Sequence, residues 1–201
     1  MPHDTRDKIL QAAFAVLSRE GYENTSIKDI AEEAGVAQGL VHYHFKSKQQ
    51  LVIAVLVEVC QKMNVYTAEG VAGVMAAFEN FKVLLRDRPD AHTLYIQLIG
   101  VGLHDQEIGS AIRENIHTSR GHVENLARQV LAEREADPTP ARAIAGAVQA
   151  GVIGIMVQKM VDPQFNADEA VDALAAMSLS AVYPTNQGAS APGKEEKGNV
   201  R

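Results

Sequence analysis

The segment Gly21–Leu51, GYENTSIKDIAEEAGVAQGLVHYHFKSKQQL, decides the fold. Ser26 followed by Asp29 has the spacing of a capping box and predicts the start of a short helix. Gly35 can adopt the left-handed conformation that ends such a helix, and a second short helix is expected over residues 38–44. Two short helices joined by a glycine turn form a helix-turn-helix, which leaves one face of the second helix free to enter the DNA major groove.

Helical patterns continue through the rest of the chain, and no convincing strand pattern is present. The sequence therefore predicts an all-α fold of about nine helices: an N-terminal three-helix DNA-binding domain over residues 1–47 and a helical domain over 48–183. The expected long helices are 4–21, 48–68, 71–87, 90–103, 106–135, one capped by Thr139 that ends before Pro163, and one capped by Asn166 that ends at Pro184. Residues 184–201 lack an apolar face and are predicted to be disordered.

Composition excludes several classes of protein. Apolar residues make up 46% of the chain, enough for a core, and the single cysteine, Cys60, excludes a disulfide framework. No pair of histidines has metal-binding spacing, and no nucleophile elbow or phosphate-binding glycine loop is present. We expect no enzyme activity, no metal and no cofactor. The N-terminus does not have the pattern of a signal peptide and no apolar run reaches membrane-spanning length, which predicts a cytoplasmic protein without a membrane contact.

Charge is distributed unevenly along the chain. The net charge of −6 alone argues against a nucleic-acid partner. However, the window Ala34–Val57 contains no Asp or Glu, and it includes Lys46 and Lys48. A local cationic surface on an acidic body is compatible with DNA binding, because counterion release depends on the contacting face.

The segment resembles the signature of the tetracycline-repressor (TetR) family. The residues that carry the resemblance are the Gly21-Tyr22 pair, the Thr25-Ser26 cap, Ile30-Ala31, Ala34-Gly35-Val36, Gly39, Tyr43-His44-Phe45, Ser47-Lys48 and Leu51. One departure is His42, which stands where the family usually has tyrosine. The resemblance implies a dimeric, DNA-binding transcription regulator, with the part after residue 47 sensing a ligand and forming the dimer.

The resemblance also implies a role for individual residues at the DNA. Gln38 and Gly39 open the recognition helix and are expected to face base edges, where glutamine can bond adenine bidentately. His42 lies one turn later on the same face. The remaining expected contacts are with phosphates, from Thr25, Ser26, Lys28, Tyr43, His44 and Lys48. Ser26 caps its helix whatever else it does, and Tyr43 and His44 could instead be a packing aromatic and a surface histidine.

The last two helices carry a surface of small residues. In a monomer this surface would be a large apolar patch, which is rare. The resemblance implies that both helices pair with their copies in a four-helix bundle, so that a two-fold dimer reads a near-palindromic operator. The expected interface residues are Ala143, Ala147, Ala150, Gly151, Gly154, Ala173 and Met177. The alternative is that the glycines only allow close packing inside one subunit.

The ligand site is the least strongly encoded feature. The resemblance implies a small-molecule pocket within the bundle, and the candidate lining residues are Met63, Phe78, Phe81, Tyr95, Leu98, His117 and Met156. Residues of these types are more often plain core than ligand contacts. Their apolar character predicts a hydrophobic effector that releases a repressor from its operator. The rival hypothesis is an adaptor or ligand-binding protein of the same fold without specific DNA binding, for which His42 and the net charge give slight support.

Overall fold

A computed structural model of the chain describes residues 2–63 and 68–182, with side chains from residue 5 to 62 and from 68 to 182. These residues form nine helices and no strand: α1 Pro2–Asn24, α2 Ile27–Ala34, α3 Gln38–His44, α4 Lys48–Met63, α5 Gly70–Asp87, α6 Pro89–Gly102, α7 Gln106–Glu133, α8 Ala141–Val161 and α9 Ala167–Ala181. The all-α prediction is confirmed. The predicted disordered tail lies outside the described residues.

The three N-terminal helices end where the sequence predicts. The backbone of α1 leaves helical geometry at Gly21, which has a φ of 74°. The Ser26 hydroxyl accepts from the backbone N–H of Asp29, and the Asp29 carboxylate accepts from that of Ser26, so the capping box is complete. Gly35 has the left-handed φ of 65° that a side chain would strain.

Two caps of the later helices differ from each other. Asn166 caps α9, because its side-chain oxygen accepts from the backbone N–H of Glu169, as predicted. The prediction for Thr139 was wrong: its hydroxyl donates to Asp137, and α8 has Pro140 at its N-cap with no side-chain cap. Asp137 competes successfully for Thr139 because a carboxylate two residues away accepts from both its hydroxyl and its backbone N–H.

One continuous core joins the N-terminal helices to the rest of the molecule. It is built from the inward faces of α1, α2, α4, α6 and α7, with Ile9, Leu17, Ile30, Leu51, Leu56, Leu94, Leu98 and Ile108 fully buried. Helix α1 packs against α2, α4 and α6, while α7 packs against α4, α5, α6 and α8. Because α4 belongs to this shared core, it connects the helix-turn-helix directly to the larger bundle.

Helix α8 has an unusual exposure for its composition. By length and composition it is the one helix among the described residues that could cross a membrane, but only 22% of its apolar window is buried. Core and interface helices of other proteins meet the same criterion, so this is weak evidence for a membrane. In the single chain, α8 is therefore an apolar helix with a largely exposed surface.

Candidate nucleic-acid interface and ligand cavity

Helix α3 presents almost its whole surface to solvent. Val41 is its only buried residue and anchors it to the core. Gln38, Gly39, Leu40, His42 and Tyr43 are all exposed, and Tyr43 is 81% exposed. A helix of seven residues is too short to be stable alone, so its neighbours hold it in place. The exposed face is therefore available for binding.

Among the other predicted DNA contacts, Ser26 and Lys28 are exposed, while His44 is half-buried beside the Tyr43 ring. The Ser26 hydroxyl donates to the Asp29 carboxylate at 2.6 Å, and this bond lowers the pKa of Asp29. Lys28 lies 3.6 Å from Glu32 on the next turn of α2. Both residues can reach a phosphate only by giving up or sharing these local partners.

Thr25 does not present its side chain to solvent. It is 3% exposed, and its hydroxyl donates to the Gly21 carbonyl at 2.7 Å. This bond fixes the turn between α1 and α2 where Gly21 has already broken the helix. We therefore assign the Thr25 hydroxyl to the turn and leave it out of the proposed DNA-facing side chains.

Lys48 is half-buried at the start of α4. Its ammonium group donates to the carbonyl of Tyr22 and lies 4.1 Å from the centre of the Tyr22 ring. Burial lowers the pKa of Lys48. The lysine thus links the end of α1 to α4, and two of its three N–H donors remain for another acceptor.

Two residues at this face were not among the sequence-predicted contacts. Leu40 is an exposed leucine on α3, where a thymine methyl group would be a suitable neighbour. Arg6 is exposed on α1, with its guanidinium 5.4 Å from the Phe45 ring next to α3. The exposed apolar position on a recognition helix was a signal in the sequence. The position of Arg6 was not, because it depends on where the packing of α1 against α2 and α4 places its first turns relative to Phe45.

A cavity of about 150 Å³ lies inside the second part of the molecule. Its wall is formed by α4 to α9 and contains aliphatic and aromatic side chains together with seven polar ones. The polar members are Cys60, Asn80, Tyr95, Asn115, Ser119, Gln149 and Ser178. No charged side chain belongs to the wall among the described residues.

One polar group of the wall is centred on Asn115. The buried Tyr95 hydroxyl donates to the Asn115 side-chain oxygen at 3.2 Å. Burial raises the pKa of Tyr95 to about 12. Burial also raises the pKa of the neighbouring Cys60 to about 12, although a hydrogen bond with Asn115 opposes this. Both groups are neutral at physiological pH, and Cys60 is too protonated to be a reactive thiolate.

A second polar group links α7 to α8. The Ser119 hydroxyl donates to the Gln149 side-chain oxygen at 3.2 Å. Ser119 follows Asn115 by four residues, so the two groups lie about 6 Å apart along the α7 axis. They therefore mark two positions on one side of the cavity.

The structure brings four of the seven predicted pocket residues together: Phe78, Phe81, Tyr95 and Met156 line the cavity. Leu98 instead lies in the core with no exposed surface. His117 is on the outer side of α7, next to the guanidinium of Arg120. The side chain of Met63 lies outside the described residues. Leu98 and His117 are thus excluded from the wall by helix orientation.

Apart from Tyr95, the polar residues of the wall were missed, although the sequence contained a signal for them. The buried stripe of α7 includes Ile108, Ile112, Leu126 and Val130, and Asn115 and Ser119 interrupt it. Gln149 likewise interrupts the apolar sequence of α8. Polar residues on an otherwise apolar helix face mark places where that face borders a cavity.

The predicted dimer residues lie on an uncovered face of α8 and α9. Ala143, Ala147, Ala150, Ala173 and Met177 are exposed, and Gly151 and Gly154 are half-buried. Val157 and Val161 extend the stripe along α8, with Val161 79% exposed. A single chain thus leaves large apolar side chains in water on two adjacent helices, which is typical of an interface.

The two glycines of this face have different surroundings. A Cβ atom at Gly151 would lie 2.8 Å from the Leu174 side chain of α9, so this glycine serves packing within the chain. A Cβ atom at Gly154 would meet no atom within 4 Å. The alternative of packing inside one subunit therefore applies to Gly151 but not to Gly154.

Within the described part of the chain, no group of three or more His, Cys, Asp or Glu side chains could hold a metal ion.

This arrangement, with a short exposed helix presented by two others, defines the helix-turn-helix class of protein. Residues 9–55 match the family described as bacterial regulatory proteins, tetR family. The chain is 42% identical over 55 residues to the transcriptional repressor KstR2 of Mycolicibacterium smegmatis, covering 27% of each chain. It is 35% identical over 88 residues to the regulator YvdT of Bacillus subtilis, covering 42% of this chain and 43% of that one. These matches thus span less than half the length of either relative.

Solved structures share the fold over most of the chain. A transcriptional regulator from Pseudomonas aeruginosa has a TM-score of 0.74 at 22% identity, over 91% of this chain and 96% of that one. A regulator from Saccharomonospora viridis in complex with choline has a TM-score of 0.74 at 19% identity, over 87% and 95%. Residues 9–55 thus carry the N-terminal sequence of the tetR family of bacterial regulatory proteins, and the chain as a whole shares the fold of these solved regulators.

Proposed function

We propose that the protein is a cytoplasmic, homodimeric, DNA-binding transcription regulator that represses until a small ligand releases it from its operator. Helix α3 carries the proposal, because it buries one residue and exposes Gln38, Gly39, Leu40, His42 and Tyr43 on a supported helix-turn-helix. The repressor role is supported by the named relative from Mycolicibacterium smegmatis.

In this proposal the DNA-facing residues divide into two groups. Gln38, Gly39 and His42 face bases, with Leu40 as an added apolar contact. Ser26, Lys28, Tyr43, His44 and Lys48 reach phosphates, where charge-assisted bonds fix orientation without reading sequence. The domain boundary falls near residue 47, and α4 extends from the DNA face at Lys48 to the cavity wall at Cys60.

Dimerisation is supported by the uncovered stripe on α8 and α9. A two-fold axis through this stripe would place two α3 helices on one near-palindromic site, separated by about 34–36 Å or a multiple of it. A ligand that changes the tilt of α4 would change that separation. Such a ligand acts only as far as it binds one dimer geometry better than the other.

The proposal is tested by selecting binding sites for the full chain from a library of random duplex DNA. We expect enrichment of a near-palindromic sequence, and a Tyr43→Ala variant that binds it about 10-fold more weakly or worse. Leu103→Ala is the matched control, because Leu103 is 77% exposed at the end of α6 and is outside the proposed interface. If no sequence is enriched, the chain is a ligand-binding protein without specific DNA recognition.

A further inference from the structure

The cavity carries two pairs of hydrogen-bonding side chains in a wall whose other members are mostly apolar. In the first pair, the Tyr95 hydroxyl donates to the Asn115 oxygen, and Asn115 also hydrogen-bonds Cys60, which leaves one of its two amide N–H groups for another acceptor. In the second, the Ser119 hydroxyl donates to the Gln149 oxygen. Within the described part of the chain, the Gln149 amide nitrogen has no hydrogen-bond partner. Each pair therefore offers N–H donors to an acceptor oxygen.

The wall cannot neutralise a charged ligand. Among the described residues it has no Asp, Glu, Lys, Arg or His, and burial keeps both Cys60 and Tyr95 protonated at physiological pH. Moving an ion from water into such a site without a partner of opposite charge is strongly unfavourable. The aromatic rings of Phe78, Phe81 and Tyr95 could attract a cation, but among the described residues no carboxylate lies in the wall to replace the water that the cation loses.

The volume favours a small ligand. An apolar protein cavity of about 150 Å³ can hold one benzene molecule, and this cavity has the same volume. The two polar pairs are about 6 Å apart along α7, comparable with the length of a ring substituted at opposite positions. A single ring with one oxygen at each end fits both the space and the spacing.

We propose that the cavity binds a neutral single-ring compound with hydroxyl or carbonyl oxygens at opposite ends, held by Tyr95–Asn115 at one end and Ser119–Gln149 at the other. The role of this compound as the effector rests on the proposed function. The existence of the binding site does not rest on it, because binding can be measured without DNA.

The test is calorimetric titration of the full chain, without DNA, with four probes that share one ring. 4-Hydroxybenzyl alcohol has both oxygens and no charge, p-xylene has neither oxygen, 4-hydroxybenzoate is an anion and tyramine is a cation. We expect 4-hydroxybenzyl alcohol to bind about 5- to 10-fold more tightly than p-xylene. We expect each ion to bind at least roughly 100-fold more weakly than 4-hydroxybenzyl alcohol. Equal or tighter binding of p-xylene or of either ion, or no binding of the neutral probe, would overturn the proposal.

Two variants separate specific contacts from general packing. Ser119→Ala and Tyr95→Phe should each weaken binding of 4-hydroxybenzyl alcohol about 2- to 12-fold while leaving p-xylene unchanged. Thr118→Ala is the matched control, since Thr118 is the exposed neighbour of Ser119 on α7. If both variants bind 4-hydroxybenzyl alcohol as tightly as the wild type and Thr118→Ala do, the two polar pairs do not hold the ligand. If one variant fails to fold, the other variant still tests its own pair.

The same preparations are then tested for binding to the selected DNA. If the chain binds the selected DNA but not 4-hydroxybenzyl alcohol, the proposed ligand class is wrong and the proposed function stands. If it binds 4-hydroxybenzyl alcohol but enriches no DNA sequence, the proposed function is wrong and the ligand class stands.

Discussion

In α2 and α3 the candidate functional side chains point into solvent, whereas in α4 to α9 they point into an internal cavity. Gln38 and Tyr43 are held by a backbone that the Ser26 cap and the Gly35 turn fix locally. Tyr95 and Asn115 meet only because α6 packs against α7, 20 residues apart in sequence. The first site depends on short-range structure and the second on how long helices pack.

This difference predicts that the two regions tolerate substitution differently. An exposed residue on α3 can be replaced without disturbing the core, so its effect is felt in binding alone. A residue of the cavity wall also contributes to packing, and its replacement changes stability as well as the ligand site. Substitutions that touch only one of these properties are the most informative.

The largest expected effect comes from the uncovered face of α8. Gly154→Arg places a charged side chain on the predicted interface. A Cβ atom at this position meets no other atom of the single chain within 4 Å, so the substitution should not disturb the fold of one subunit. We expect the dimer to dissociate, measured by sedimentation, and DNA affinity to fall about 10²- to 10⁴-fold because two-site binding is lost.

Gly121→Arg is the matched control for this variant. Gly121 also lies inside a helix, α7, and a Cβ atom there would meet nothing within 4 Å. This control should remain dimeric. A dimeric Gly154→Arg would move the interface to another surface of the molecule.

The second effect belongs to the recognition helix. Gln38→Ala should weaken binding to the selected operator by about 1–3 kcal/mol and relax the preference at one base pair. Gln50→Ala, at an exposed glutamine early in α4, serves as the control. Competition assays with specific and random duplexes provide the measurement. An equal loss on both would show that Gln38 does not read a base.

Most of the N-terminal region could be predicted from the sequence. The limits of α2 and α3 follow from Ser26, Gly35 and the apolar positions between them, because caps and turns act over a few residues. The burial of Thr25 could not be predicted in this way. A threonine before a helix cap can turn outward or inward, and its bond to the Gly21 carbonyl depends on the break in α1.

The cavity could be predicted only in part. Phe78, Phe81, Tyr95 and Met156 were identified by their bulk and position, but bulk alone did not separate them from Leu98 in the core. The rotation of each helix about its own axis decides which residues border a void, and that rotation is set by packing against distant parts of the chain. Polar interruptions such as Asn115 carry more information than large apolar residues.

A third, smaller effect compares two buried polar side chains. Thr25 has a partner, whereas both ring nitrogens of His92, 2% exposed in α6 against Phe81, lack a hydrogen bond of normal geometry among the described residues, and the backbone of Arg88 only partly opposes the effect of burial. Burial lowers the pKa of His92, so the unfolded chain binds its proton more readily than the folded one. Stability from this group is present above the unfolded pKa of about 6.5 and is lost as the pH falls below it.

The measurement is urea unfolding at pH 7.5 and pH 5.5. His92→Leu should reduce the acid-induced loss of stability by up to about 1.4 kcal/mol for each pH unit below 6.5. His104→Leu, at an exposed histidine after α6, should leave that loss unchanged. The same pH dependence in wild type and His92→Leu would show that His92 is not its source.

The smallest effect concerns Lys48, where the two regions of the molecule join. Its ammonium group already donates to the Tyr22 carbonyl, whereas Lys28 on α2 is exposed beside Glu32. Lys48→Met keeps the apolar stem against the Tyr22 ring but removes the charge. If Lys48 also neutralises one phosphate, the plot of log affinity against log salt concentration should be less steep for Lys48→Met than for the wild type, by about 0.9. Between 50 and 200 mM salt, the variant should therefore lose about 3.5-fold less affinity than the wild type. An unchanged slope with a lower unfolding temperature would mean that Lys48 only joins α1 to α4. The salt dependence then has to come from groups such as Lys28 and Lys46, which the corresponding methionine variants would show by the same measurement.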